Sequence, residues 1–201
     1  PEADSALSLE VVAETYRVKS FANYEKGYRL DYDYYTGINT AYMAMDEQLD
    51  TDPDIGMKKA ESIARLVDWS VKNAGGLESK DYWCVVTALE VACFLRKSIP
   101  EVESILLRLG SLRTSDWMLE STSEHLVKLR DSRIRRGESF EVIDAALQGL
   151  VNYKASVERG EKAAIGNEAA VELTPVTQWI ETHTATVKGA NSSFVSGNFR
   201  F

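Results

Sequence analysis

Apolar residues recur through the first three quarters of the chain at i, i+3, i+4 and i+7, the spacing of one face of an α-helix. Leu9, Val12, Ala13 and Tyr16 mark a first segment running to about Lys19. Phe21, Tyr24, Gly27 and Tyr28 mark a second, which breaks at residues 30–33. Ser20 alone separates the two, short even for a helix hairpin, so they read as one bent helix or as two helices whose connection is missing. A third helix, carried by Ile38, Ala41, Tyr42 and Met45, ends near Leu49. After an acidic loop with Pro53 as a stop and Asp54 as a cap, a fourth is predicted over residues 55–74, with Ile63, Leu66, Val67 and Val71 inward and Gly75-Gly76 as its terminator.

The fifth segment, from Tyr82 to about Arg96, is apolar on nearly every side and is therefore predicted to lie buried at the centre of the array. Ser98-Ile99-Pro100-Glu101 opens a short sixth helix by a capping pattern. A seventh runs from the Asp116-Trp117 step to about Arg130, and an eighth covers residues 140–153 with Val142, Ile143, Ala146, Leu147 and Leu150 inward. The expected fold is all-α, a solenoid of about eight antiparallel helices over residues 1–155. Residues 156–170 are charged and alanine-rich, a linker or surface helix. In residues 171–201 the pattern shifts to alternation and turn formers, predicting a short β-rich tail that either pairs back on the helices or starts a further domain.

One motif recurs at helix starts: Asp33-Tyr34-Tyr35, Asp81-Tyr82-Trp83 and Asp116-Trp117. The second and third lie 35 positions apart, close to the ~34-residue period of a tetratricopeptide unit; the first and second lie 48 apart, one period plus an insertion. A carboxylate at such a place accepts from unpaired N–H groups of the first turn. Tyr82, Trp83 and Trp117 are accordingly predicted as wedges between helix pairs. Gly37 costs its helix up to ~1 kcal/mol relative to Ala, which predicts a close approach by a neighbouring helix, and Asn39 is expected to bond the backbone of the preceding loop.

The segment Tyr35-Thr36-Gly37-Ile38-Asn39 resembles the characteristic step of the TRAFs-binding domain family, known from apoptosis signal-regulating kinases and bacterial multidomain proteins. Residues 14–19 and 24–28 resemble that family's first and second helices, and the likeness covers about residues 8–135. It implies a tetratricopeptide-like array, followed in the kinases by a β-rich domain, and a role in binding protein rather than in catalysis.

Net charge is −8, which opposes a general affinity for nucleic acid or anionic membrane. No apolar run reaches the ~18–20 residues of a membrane span. Cys84 and Cys93 stand nine residues, ~13 Å, apart on one helix, beyond the ~7 Å reach of a disulfide, and read as core thiols of a reducing, cytoplasmic setting. His125 and His183 have no second His or Cys at metal-ligand spacing. No phosphate loop or nucleophile elbow is present, so no cofactor, metal or catalytic residue is assigned. Lys128, Arg130, Arg133, Arg135 and Arg136 form one basic cluster, a candidate docking site for an acidic partner or phosphorylated ligand. The reading that follows is a non-enzymatic interaction and regulatory module of a larger signalling or defence-type protein, binding a protein, a peptide or a second copy of itself. Its alternatives are a sensor of nucleotide or another phosphorylated ligand through the basic cluster, and a hydrolase built on one histidine.

Overall fold

The computed structural model describes residues 2–47, 53–112 and 114–158. Among these residues seven α-helices follow one another: α1 Glu2–Asp31, α2 Tyr34–Glu47, α3 Pro53–Asn73, α4 Tyr82–Phe94, α5 Ile99–Leu109, α6 Asp116–Arg135 and α7 Glu141–Glu158. A single 3-10 turn, Gly76–Glu78, joins α3 to α4, and no strand occurs among the described residues. Successive helices pack against one another from α1 to α5, and α7 closes against both α5 and α6, an all-helical arrangement consistent with a solenoid. The linker and β-rich tail expected after residue 155 fall, past Glu158, outside the described residues.

The two helices expected on either side of Ser20 are one continuous helix of 30 residues, which accounts for seven helices rather than eight. No Gly or Pro lies between Leu9 and Lys26, so nothing there interrupts the backbone ladder, and serine is tolerated within a helix. α1 ends where Tyr32 takes a positive φ of 50°, an uncommon conformation for a residue other than glycine. Its ring turns edge-on to Tyr28, with centroids 5.7 Å apart.

Pro53 and Asp54 stand inside the first turn of α3 rather than ahead of it, where proline's fixed φ and an acid both suit a helix start. The buried stripe of α3 is Met57, Ala60, Ala64, Val67 and Val71. Leu66, expected inward, sits one position off that stripe and is 54% exposed. Gly75, at φ 102°, supplies the left-handed turn that ends the helix.

α4 occupies the centre. Eleven of its thirteen residues are buried, and it touches α2, α3, α5, α6 and α7. Cys84 and Cys93 are both buried and unbridged, as small core residues of this helix. Gly37 meets the expected close approach: an added methyl would stand 2.5 Å from Val67 Cγ2 of α3 and 2.7 Å from the Tyr28 ring of α1.

Gly37→Ala is accordingly expected to lower stability by about 1–3 kcal/mol despite the better helix propensity of alanine. Gly149→Ala, whose methyl would first meet the Leu106 side chain, is expected to cost less, because a leucine can rotate away. Urea unfolding of both variants measures the difference; a stabilised Gly37→Ala would contradict the packing described.

Candidate functional site

Two of the three acid–aromatic steps cap their helices with the acid. Asp33 Oδ2 accepts the Thr36 backbone N–H at 2.8 Å at the start of α2. At the start of α4, Asp81 Oδ1 accepts the Trp83 N–H at 3.0 Å. The third step differs: Ser115 takes the capping position of α6 without a side-chain bond, and Asp116 is the first residue inside the helix. Asp81 also accepts the Tyr34 hydroxyl through Oδ2, which ties the start of α2 to the start of α4. Burial, then the hydrogen bond and charge of Asp81, hold the Tyr34 phenol protonated far above its ordinary range.

The aromatics of the three steps meet. Tyr35 and Trp83 pack edge-to-face with centroids 5.8 Å apart, and Trp83 lies 5.6 Å from Trp117. The result is one row of rings across the starts of α2, α4 and α6. Tyr82 turns the other way, into the core, where its hydroxyl reaches Met118 O at 3.2 Å and Thr122 Oγ1 at 3.1 Å. Ile38 is buried, and Thr36 Oγ1 donates to Asp33 O at 3.3 Å. The Asn39 amide donates to Tyr35 O at 2.8 Å, one turn back in its own helix and not in the preceding loop.

Behind the row lies a cleft of about 10 Å³ lined by Tyr35, Asn39, Thr87, Glu90, Ser121 and His125 among others, room for about one water molecule. Glu90, the one carboxylate in the otherwise apolar α4, is 4% exposed. Its Oε1 lies 3.0 Å from His125 Nδ1, and the imidazole packs on the Tyr42 ring at 4.5 Å. His125 is thus a hydrogen-bonded histidine, fixed by an acid 35 residues earlier. Burial, followed by the charges of Glu90 and Asp33, pushes the Tyr35 phenol up to about 12. A base and its orienting acid are two of the three parts of a nucleophilic site. Among the described residues, however, no serine or cysteine bonds the imidazole, and the cleft has no space for a substrate. No group of three His, Cys, Asp or Glu side chains among those residues is placed to hold a metal ion. His183 lies outside the described residues.

The basic cluster does not form one docking patch. Arg133 is fully buried: Nη2 donates to Glu61 Oε1 at 2.9 Å and to the Phe94 carbonyl at 2.8 Å, and Nη1 donates to Glu138. Arg136 is bound to Glu138 Oε1 at 2.8 Å and to Ser132 Oγ at 2.8 Å. Arg130 pairs with Asp144 at 2.6 Å, which leaves Lys128 and Arg135 exposed on the surface. Arg96 joins the buried group through Glu61 at 2.9 Å and Glu138 at 3.1 Å. The sequence places these cations close together, but helix rotation divides them between core and solvent.

Burial raises the affinity of Glu61 and Glu138 for protons, but the hydrogen bonds and charges of their arginine partners outweigh it, and both end below the ordinary range, Glu138 at about 2. A carboxyl more acidic in the folded chain than in the unfolded one stabilises the fold above its unfolded value, about 4.3. That contribution is lost as pH falls through the folded value, here from about 5 towards about 2. Arg133→Ala is expected to cost about 3–5 kcal/mol, because it opens a cavity, takes the donor from the Phe94 carbonyl and removes one arginine partner each from Glu61 and Glu138, while Arg135→Ala stays within about 0.5 kcal/mol. Urea titration at neutral pH tests the pair, and equal costs would contradict the arrangement. Glu138→Gln is expected to flatten the acid limb of a stability–pH curve.

No helix among the described residues is long and apolar enough to cross a membrane. Searches of curated proteins and of solved structures return no significant match. The model of the MAP3K TRAFs-binding domain, in contrast, matches residues 3–148, from the first turn of α1 into α7, including Tyr35–Asn39 and all three acid–aromatic steps. With nearly three quarters of its length matched, this chain belongs to the MAP3K TRAFs-binding domain family, a family of protein-interaction domains.

Proposed function

We propose that the chain is a non-catalytic, tetratricopeptide-like interaction module that regulates a larger signalling or defence-type protein in the cytoplasm. The observation that carries this reading is the family match over residues 3–148, whose description names TRAFs as what such domains bind. The surface supports it. Side chains that would serve chemistry are turned to structure, with Glu90 and His125 paired over a water-sized cleft and Arg133 and Arg136 consumed by Glu61 and Glu138. Aromatic side chains, in contrast, reach solvent: Trp117 is 45% exposed and Trp69 63%. A row of rings and outward indoles recognises protein surfaces well, because each buries much area with few rotatable bonds.

Arg133 and Arg136 already bind carboxylates, so a phosphate reaching them would have to displace Glu138, which favours the interaction reading over the phosphorylated-ligand one. Calorimetric titration with a purified TRAF protein, together with light scattering over a hundredfold range of chain concentration, tests the proposal. Saturable binding or a defined oligomer, without turnover, is expected. The absence of both binding and self-association would contradict it.

A further inference from the structure

The row Tyr35–Trp83–Trp117 has properties beyond those of a packing wedge. Trp117 is half out in solvent while its ring rests on Trp83, and Trp83 rests on Tyr35. Each ring fixes the next, so the surface is set before anything binds, which lowers the cost of association. The exposed Leu66 and Trp69 of α3 have no such ring partners among the described residues.

The charge around the row is negative. Asp33 and Asp81 cap α2 and α4, Asp116 is exposed in the first turn of α6, and Glu90 lies behind Tyr35 in the cleft. Lys80 is next to Asp81 in sequence, and the Arg108 guanidinium is held at Ser79 O at 2.7 Å. Three helix starts side by side would ordinarily attract an anion to their unpaired N–H groups. Here the Asp33 and Asp81 carboxylates already accept from those groups at α2 and α4. What remains on offer is aromatic faces beside acids, and that combination attracts cations, the flat guanidinium above all.

The spacing narrows the partner further. Ring-to-ring steps of 5.8 and 5.6 Å are near the ~6.6 Å between alternate side chains on one face of an extended strand. Resting on the protein-interaction reading above, we propose that this row is the docking surface for an extended partner segment carrying arginine at alternate positions. One guanidinium stacks over the exposed Trp117 and the next lies along the row at the solvent edge of Trp83, with Asp116 as the exposed counter-charge.

The probe is a fluorescently labelled nine-residue peptide with arginine at every second position and serine between, titrated by anisotropy against the whole chain. Saturable, salt-sensitive binding is expected, weakened on the order of tenfold by Trp117→Ala and severalfold by Asp116→Asn. Trp69→Ala should leave it unchanged, and the peptide with glutamate in place of arginine should not bind. All three altered side chains are exposed, so circular dichroism is expected to show intact folds. Equal binding by Trp117→Ala, or equal binding of the glutamate peptide, would overturn the proposal. So would a dimer that dissociates on Trp117→Ala, which would make a second copy the occupant. If the arginine peptide fails while a TRAF protein binds, this surface is wrong and the interaction reading stands; if neither binds and the chain stays monomeric, both fall.

Discussion

The constraint on which the fold depends is that α4 has no side to show to water. A helix with valine, leucine, alanine, cysteine and phenylalanine around its whole circumference must be surrounded, and α2, α3, α5, α6 and α7 all touch it. The other helices need only one apolar stripe each, which they turn towards it. Complete burial creates a second problem, because the peptide groups at the two ends of a buried helix still require partners.

Each end is met by a different device, and each device recruits distant parts of the chain. At the start, Asp81 accepts the Trp83 N–H and holds the Tyr34 hydroxyl, while Trp83 is clasped between Tyr35 and Trp117. At the end, Arg96 adopts a positive φ of 52°, where glycine is usual, and the Phe94 carbonyl accepts from the buried Arg133. Glu61 and Glu138 then neutralise both arginines. The aromatic row and the buried ion cluster are therefore two consequences of one apolar helix. The first keeps part of its surface in solvent and is open to a partner; the second is closed to ligands.

Much of this was legible from residues alone, for reasons tied to periodicity. Helical stripes and glycine or proline stops place the starts of α2 to α7 within two residues, though α6 and α7 each run five residues past their expected ends; all-round apolarity marks α4 as central, and Gly37 announces a close helix approach, which Val67 and Tyr28 supply. What escaped depends on rotation and on long-range contact. Leu66 differs from Val67 by one position, about 100° of helix turn, enough to move it from core to solvent. The Arg130, Arg133 and Arg136 series looks uniform in sequence, yet Arg133 alone is wholly enclosed, because its partners come from α3 and from the loop after α6. Glu90 was the missed signal: a lone carboxylate in a helix bound to be buried requires a partner, and His125, 35 positions on, supplies it. The join at Ser20 invited a turn only because two stripes of different phase meet there, and the backbone continues through it.

A repeat array held by nearest neighbours alone would open from its ends, one unit at a time. A fold organised around one enclosed helix behaves otherwise, because no part of the core survives its exposure. Native-state hydrogen exchange distinguishes the two most directly. The amides of Val85–Phe94 are predicted to exchange only through global unfolding, at the full free energy measured by denaturant, while α1 and α7 open at lower cost. Exchange of the α4 amides through a partial opening that leaves α1, α2 and α3 protected would contradict the account.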